Sequence, residues 1–286
     1  MNMNPVCQGT AAIRWYAVII AWLILCAMSP GRALAAEPYD FAVVPQFEQR
    51  KLFAIWKPVV DELQKRTGIP LRLVATLSIG EFERNFHKGK FDFVYTNPYQ
   101  VMKEISLQGY IPLVRDRVPL RGIIVVRKDS PFRNVRALQG KRLAFPSPNA
   151  VGACMLIRAD LSCLYDVTVQ PVYVKTHSSV YLHVVNGLTD AGGGVEKTFG
   201  EQDPGIRDSL RVIYTTREMP SHPVAAHPRV PKDIREKVRQ AFLGMASTAE
   251  GRDMLGKIPM KDPVSASPAD YTVMKDWGLE KYWKEE

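Results

Sequence analysis

Apolar and polar positions along this chain fall into a recurring order of strand, loop and helix. Residues 39–44 read as a first strand, stopped by Pro45-Gln46. Leu52, Trp56, Val59, Val60 and Leu63 then make an apolar stripe at helical spacing, closed by Gly68. Residues 71–75 predict a second strand and 79–87 a short helix. Residues 91–95 alternate aromatic and β-branched side chains as a third strand does. That strand stops at Thr96-Asn97, two good N-cap residues, and Pro98 follows where a first helical turn tolerates it. A helix over 99–108 ends at Gly109, and 111–114 predicts a fourth strand.

The pattern changes around Arg117-Val118-Pro119-Leu120. A strand over 122–126 leads through Asp129-Ser130-Pro131 and a short helical turn to a strand at 143–145. Pro146-Ser147-Pro148-Asn149 is a turn and cap before a helix over 150–161. A strand at 172–174 is followed by the cap Thr176 and a helix over 177–186, ended by Gly187. Residues 189–191 predict a short buried strand, with Gly192-Gly193-Gly194 expected to let the backbone turn closely. After a last strand at 210–214 comes a second proline-marked crossing, 219–223, then a short apolar stretch at 224–226. Pro231 starts a helix with an inward stripe of Ile234, Val238, Phe242 and Met245. The tail carries Trp277, Tyr282 and Trp283 and is expected to pack on the first block. These crossings predict two α/β lobes, one discontinuous (36–118 plus 222–286) and one inserted (119–221), joined by a two-crossing hinge over a small-molecule cleft.

The first 35 residues read as a signal peptide: Arg14, a short apolar core over 15–28, and a small-x-small cleavage site at Ala33-Leu34-Ala35. Its removal would leave 251 of the 286 residues, enough for two lobes, and would place the chain in the periplasm. The net charge of +9 then loses Arg14 and Arg32, leaving +7. Those charges are mixed along the chain with no Lys/Arg run, so composition argues against nucleic acid as a partner. Cys7 and Cys26 leave with the leader. A bridge between Cys154 and Cys163 would need their helix to end near Leu161, since nine residues of straight helix span about 13 Å.

Candidate chemistry gathers at three helix starts. Tyr95-Thr96-Asn97 comes from the first lobe; Ser147 with Asn149-Ala150-Val151-Gly152, and Thr176-His177-Ser178-Ser179, come from the second. Each start offers unpaired N–H groups and roughly half a positive charge, which together favour an anion. Gln46, at the end of the first strand, joins this set. Neutral His177 can donate an N–H, and Asp190, ahead of the glycines, can meet a cationic group. Tyr95, Tyr99 and Tyr181 are candidate cleft walls. A Cys154/His177 nucleophile pair lacks any activating neighbour in sequence, and His222 and His227 lack metal-ligand spacing. The sequence holds no GxxxxGK[ST] and no GxGxxG loop, so neither enzyme nor cofactor is predicted.

At Asp92-Phe93-Val94-Tyr95-Thr96-Asn97-Pro98-Tyr99, Gly140-Lys141-Arg142-Leu143-Ala144-Phe145, Thr176-His177-Ser178-Ser179-Val180, Asp190-Ala191-Gly192-Gly193 and His222-Pro223-Val224-Ala225-Ala226-His227-Pro228, the chain resembles the PhnD-like phosphate/phosphite/phosphonate-binding proteins of ABC importers. That resemblance covers essentially the whole chain after the leader. It implies a type II periplasmic binding protein, α/β in class and monomeric, which closes over a small oxyanion and passes it to an ABC permease. The chain departs from the family where phosphonate binders carry a Ser/Thr run at the second-lobe helix start, because Asn149-Ala150-Val151 stands there instead. Two or three hydrogen bonds to a charged group, about 1.5–3 kcal/mol each, would be lost. A branch of the family resembles arsenite-sensing proteins that report to a histidine-kinase ectodomain. In that reading Cys154 is a thiolate ligand for As(III). An enzyme on the same fold, such as a thiamine-pyrimidine synthase, would need an activated His or Cys site.

Overall fold

The computed structural model describes residues 37–284. The proposed leader and its cysteines lie outside them. No helix among the described residues is long and apolar enough to cross a membrane.

The chain opens with β1 (Tyr39–Val43), whose Phe41, Ala42 and Val43 are fully buried, and enters α1 (Gln49–Thr67). The five stripe residues Leu52, Trp56, Val59, Val60 and Leu63 are the ones α1 buries, and each contributes about 1.5–3 kcal/mol of apolar transfer. Gly68 ends α1 in the left-handed region, φ 67°, which costs glycine nothing. Then follow β2 (Leu71–Ala75), α2 (Ile79–His87), β3 (Phe93–Tyr95), α3 (Pro98–Leu107) and β4 (Ile111–Asp116). As the sequence predicts, Asn97 caps α3, its Oδ1 accepting from Gln100 N, with Pro98 in the first turn.

From β5 (Gly122–Arg127) the chain passes a 3-10 turn at Val135–Leu138 and β6 (Arg142–Phe145) to a π-helical turn, Val151–Met155, continued by α4 (Leu156–Tyr165). In that turn Ala150 O accepts from both Cys154 N (2.7 Å) and Met155 N (3.2 Å), a widening often found at functional sites. Next are β7 (Gln170–Tyr173), α5 (His177–Val185), β8 (Ala191–Val195), the short α6 (Glu196–Gly200) and α7 (Pro204–Asp208), and β9 (Leu210–Thr215). The chain closes with β10 (Pro223–Ala226), α8 (Lys232–Met245), α9 (Ala249–Lys257), β11 (Pro263–Ser265), α10 (Ala269–Thr272) and two 3-10 turns, Val273–Trp277 and Glu280–Tyr282.

Two sheets result. The first runs β11-β4-β10-β3-β1-β2, with β2, β1 and β3 parallel and β10 antiparallel to both β3 and β4. The second runs β7-β6-β8-β5-β9, with β7, β6 and β8 parallel and β5 antiparallel between β8 and β9. All strands of the second sheet lie in sequence between β4 and β10 of the first. At the two crossings Leu120 and Met219 exchange backbone hydrogen bonds of 2.8 and 2.9 Å. The first sheet's core is aromatic: Phe41 stacks on Phe93, and Trp56 lies 4.7 Å from Tyr95.

Three expectations change. Gly192, Gly193 and Gly194 form the middle of β8 rather than a turn. A Cβ on Gly193 would sit 2.2 Å from Ala153 O, and one on Gly194 would sit 2.2 Å from the Tyr181 hydroxyl, so close packing on both faces demands glycine. The helix after Asn149 runs on to Tyr165, which leaves Cys154 buried and Cys163 exposed, both as free thiols. The tail does not pack on the first block alone. Trp283 contacts Tyr99, while Tyr282 underlies Arg158 and Trp277 underlies Arg217, side chains of the inserted segment.

Candidate functional site

At the ends of β1, β3 and β8 a cavity of about 20 Å³ lies between the two sheets. Val44, Gln46, Ile79, Asn97 and His222 line it from the first sheet's side, and Ala150–Ala153, His177 and Val195 from the second's. Its size admits about one water, so this is a shut site. It is shut by direct contacts: His177 N donates to Gln46 O at 3.0 Å, and Asn97 Nδ2 donates to Asn149 O at 3.4 Å.

The polar lining carries no formal charge. Burial pushes the imidazoles of His177 and His222 down to about 3, so both are neutral. Gln46 Nε2 donates to His222 Nε2 at 3.3 Å; an amide nitrogen cannot accept, so His222 holds its proton on Nδ1. The His222 ring stacks on Tyr95, 5.4 Å between centroids. His177 Nδ1 meets Thr198 Oγ1 at 3.1 Å, which holds the ring in place. The π turn begins at Ala150 with no side-chain cap. Its first N–H groups, on Val151, Gly152 and Ala153, have no acceptor within the helix and belong to the lining residues. The turn is closely packed: a Cβ on Gly152 would press Val195 at 3.0 Å and Leu120 at 3.3 Å, and Gly122 must be glycine because its Cβ would stand 2.1 Å from the Gly152 carbonyl. Such a site can hold an oxyanion by backbone and amide N–H groups, with neutral imidazoles to donate to it or accept from a protonated oxygen.

A sequence model of the family described as "ABC transporter, phosphonate, periplasmic substrate-binding protein" matches residues 41–271. The chain belongs to this family. It is a family of substrate-binding proteins rather than an enzyme class, and its members are periplasmic. The phosphonates-binding periplasmic protein of Escherichia coli K12 is 19% identical over 248 residues, covering 81% of this chain and 73% of that protein. A binding-protein component of an ABC phosphonate transporter from Pseudomonas aeruginosa superposes with a TM-score of 0.76 at 14% identity, over 85% of each chain. PhnD1 of Prochlorococcus marinus, solved with methylphosphonate, also gives 0.76, at 15% identity, over 85% of this chain and 97% of that one. An ancestral arginine-binding protein gives 0.55 at 12% identity, over 77% of this chain and 97% of that one. The fold is that of the type II periplasmic binding proteins.

Of the residues singled out in the sequence, Gln46, Asn97, Ala150, Val151, Gly152 and His177 line this binding protein's cavity. The others stand behind or outside it. Tyr95 is buried in the first sheet's core, its hydroxyl donating to Pro259 O at 3.4 Å, and it backs His222. Thr96 Oγ1 donates to Gln100 Oε1. Ser147 Oγ is buried without a partner, and Asn149 Nδ2 donates to Glu83 Oε2 and Lys284 O. Thr176 caps α5 by accepting from Ser179 N, and its hydroxyl meets that of Ser179; Ser178, in the same turn, does not line the cavity. Tyr99 reaches Glu280 and Tyr181 reaches Thr198, so neither walls the cavity.

Two expectations are corrected here. Asp190 precedes β8 and its Oδ2 accepts from Arg142 N at the start of β6. Because β6 and β8 are parallel, that is the sheet edge opposite the cavity. Cys154 is fully buried and absent from the lining, and burial pushes its thiol up to about 12, so it is not a thiolate in this state. His222, Val44, Ile79, Ala153 and Val195 line the cavity without being among the candidate residues. A histidine directly before a strand, in the Ser221-His222-Pro223 crossing, was the available signal for the first of these.

Proposed function

We propose that this binding protein captures a small oxyanion, of the phosphonate, phosphite or phosphate kind, between two lobes and delivers it to an ABC permease. The lobes are residues 36–118 plus 222–286 and residues 119–221, hinged at the paired crossings of Leu120 and Met219. The observation that carries the reading is a cavity at strand ends with three helix starts, two neutral imidazoles and two amide side chains around it, in a family of periplasmic substrate-binding proteins. Residues 1–35 act as the export leader in this reading. The methylphosphonate in the Prochlorococcus marinus relative indicates the ligand size to expect. At about 20 Å³ the cavity cannot take even that ligand until the hinge opens. The missing hydroxyls at Ala150 and Val151 shift the holding of oxygens to backbone N–H groups, Gln46, Asn97 and His177.

A thermal-shift panel with phosphate, phosphite, methylphosphonate, 2-aminoethylphosphonate, arsenite, arsenate, sulfite and selenite tests this. A ligand at 100 times its Kd adds about 2.7 kcal/mol to the folded state. A phosphorus oxyanion should raise Tm, and His177→Ala and Gln46→Ala should abolish the rise. No shift from any phosphorus oxyanion would refute the ligand class. Arsenite alone acting, under reducing conditions and lost in Cys154→Ser, would instead favour a sensor that presents its bound state to a histidine kinase.

A further inference from the structure

The hydrogen bonds around His177 decide which ring nitrogen carries its proton. Four contacts join a buried cluster: His177 Nδ1 with Thr198 Oγ1 at 3.1 Å, Tyr181 Oη with Thr198 Oγ1 at 3.0 Å, and the Thr198 and Tyr181 hydroxyls with Val195 O at 3.1 and 3.3 Å. A proton on Nδ1 brings the hydrogens to three, and three contacts form: His177 donates to Thr198, Thr198 to Val195, and Tyr181 to Thr198. With Nδ1 bare, Thr198 must donate to it and only two contacts form. Thr198 and Tyr181 are fully buried, where an unmade hydrogen bond is costly, so the fuller arrangement prevails. The ring is neutral, so a proton on Nδ1 leaves Nε2 an acceptor. Nε2 has no partner among the described residues and is not sealed in the interior, which leaves it for a molecule in the cavity that His177 lines.

His177, Tyr181, Val195 and Thr198 all lie in the segment 119–221, so hinge opening leaves this arrangement intact. Across the cavity Gln46 gives Nε2 to His222, which leaves Gln46 Oε1 as a second acceptor. The π turn supplies donors instead, the N–H groups of Val151, Gly152 and Ala153. A fully deprotonated oxyanion suits those donors but sets lone pairs against both acceptors. We propose that the site selects an oxyacid that keeps at least one O–H group, its bare oxygens on the π-turn N–H groups and its hydroxyl donating to His177 Nε2. This rests on the oxyanion reading and narrows its ligand class. Thr198 is then a positioning residue, acting through the tautomer of His177. The titratable groups around the ring are His222, backed by Tyr95, then Tyr181, and Lys197, which pairs with Asp116 at 2.6 Å. Burial holds His222 down at about 3 and both tyrosines up, so between about pH 5.5 and 8 the proton that matters is the ligand's.

Two measurements test this, one of them without ligand. Nitrogen-15 spectra of histidine-labelled protein, assigned with His177→Gln, should show His177 protonated on Nδ1 at neutral pH. A proton on Nε2 would overturn the proposal whatever the ligand. Isothermal titration with phosphite, methylphosphonate and sulfate across the same pH range is the second. Affinity should fall about tenfold per pH unit above each phosphorus ligand's own second pKa, and so at higher pH for methylphosphonate than for phosphite. Sulfate, which keeps no proton in this range, should bind at least about tenfold more weakly than phosphite. Thr198→Val should shift the ring toward the Nε2–H form and narrow that gap. Sulfate binding as tightly as phosphite, or one midpoint common to both phosphorus ligands, would overturn the proposal, the latter by placing the proton on the protein. If neither phosphorus ligand binds at any pH, the phosphorus reading falls, and the hydroxyl requirement falls with it unless arsenous acid, which keeps its O–H groups at neutral pH, binds.

Discussion

Asn149 and Lys284 form a two-point pair: Lys284 N donates to Asn149 Oδ1 at 2.8 Å, and Asn149 Nδ2 donates to Lys284 O at 2.7 Å. The second Nδ2 hydrogen goes to Glu83 Oε2, and the Asn149 carbonyl accepts from Asn97. One residue beside the π turn thus ties together α2 and the tail through its side chain and the end of β3 through its carbonyl. Its amide is fully used, and no other side chain offers two donors and an acceptor in that shape.

Asn149→Ala should therefore lower stability by about 1–3 kcal/mol, since it removes one donor from Glu83 and both hydrogen bonds of the Lys284 backbone. A urea titration should show a lower midpoint with unchanged slope, and hydrogen exchange should quicken around residues 280–284. Asn149→Asp should cost more at neutral pH by setting a carboxylate against Glu83, and acid should relieve that excess. A midpoint equal to wild type in both variants would show that the tail is not held through this residue.

The two cavity histidines predict an acid-sensitive fold. Burial takes both from 6.5 to about 3, so between those values the unfolded chain binds protons that the folded chain does not. Stability from this source is fully present above pH 6.5 and is lost as pH falls, by about 2 kcal/mol for each histidine at pH 5. Tm measured from neutral pH down to about pH 5 should fall, and the fall should shrink in the His177→Gln/His222→Gln double variant. A pH slope identical in the double variant would show that neither histidine is neutral and buried in the dominant state.

Much of this was legible in the chain. The α1 stripe, Gly68, and the Asn97-Pro98 start of α3 are local features, written by helical spacing and capping chemistry, and they appear where the pattern puts them. Six of the candidate site residues converge because strand-to-helix junctions of parallel sheets face one edge. What failed was contact at a distance. Asp190 stands at a strand start, but its sheet edge depends on the β6/β8 register, which its neighbours do not reveal. The Gly192-Gly193-Gly194 run resembles a turn locally; only Ala153, Phe145 and Tyr181, packed from elsewhere, make it a strand.

That packing predicts a penalty at Gly193. Its added Cβ would stand 2.2 Å from Ala153 O and 2.5 Å from the Phe145 ring, and both belong to the junction that carries the π turn. Gly193→Ala should destabilise the protein by about 1–3 kcal/mol or more, as overpacking does. Gly205→Ala, with nothing within 4 Å of the new carbon, should be near neutral or slightly favourable. Similar midpoints for the two variants would contradict the packing described for β8.

The two thiols should differ sharply in reactivity. Cys154 has no exposure and its thiol is pushed up to about 12, chiefly by burial, although Arg158, Lys284 and Tyr173 partly offset it. Cys163 is exposed, with the Lys281 ammonium 3.8 Å from its sulfur. Brief iodoacetamide treatment of the native protein should label Cys163 alone, with Cys154 joining only in denaturant, and mass spectrometry of the peptides separates them. The same experiment bears on the arsenite route, because a thiol that cannot be alkylated in the native protein cannot meet a metalloid until it is uncovered. Labelling of Cys154 in the native protein, suppressed by a phosphorus oxyanion, would show that opening occurs in solution and that ligand reverses it. Labelling of Cys154 in the native protein unaffected by every oxyanion in the panel would contradict the burial described for it.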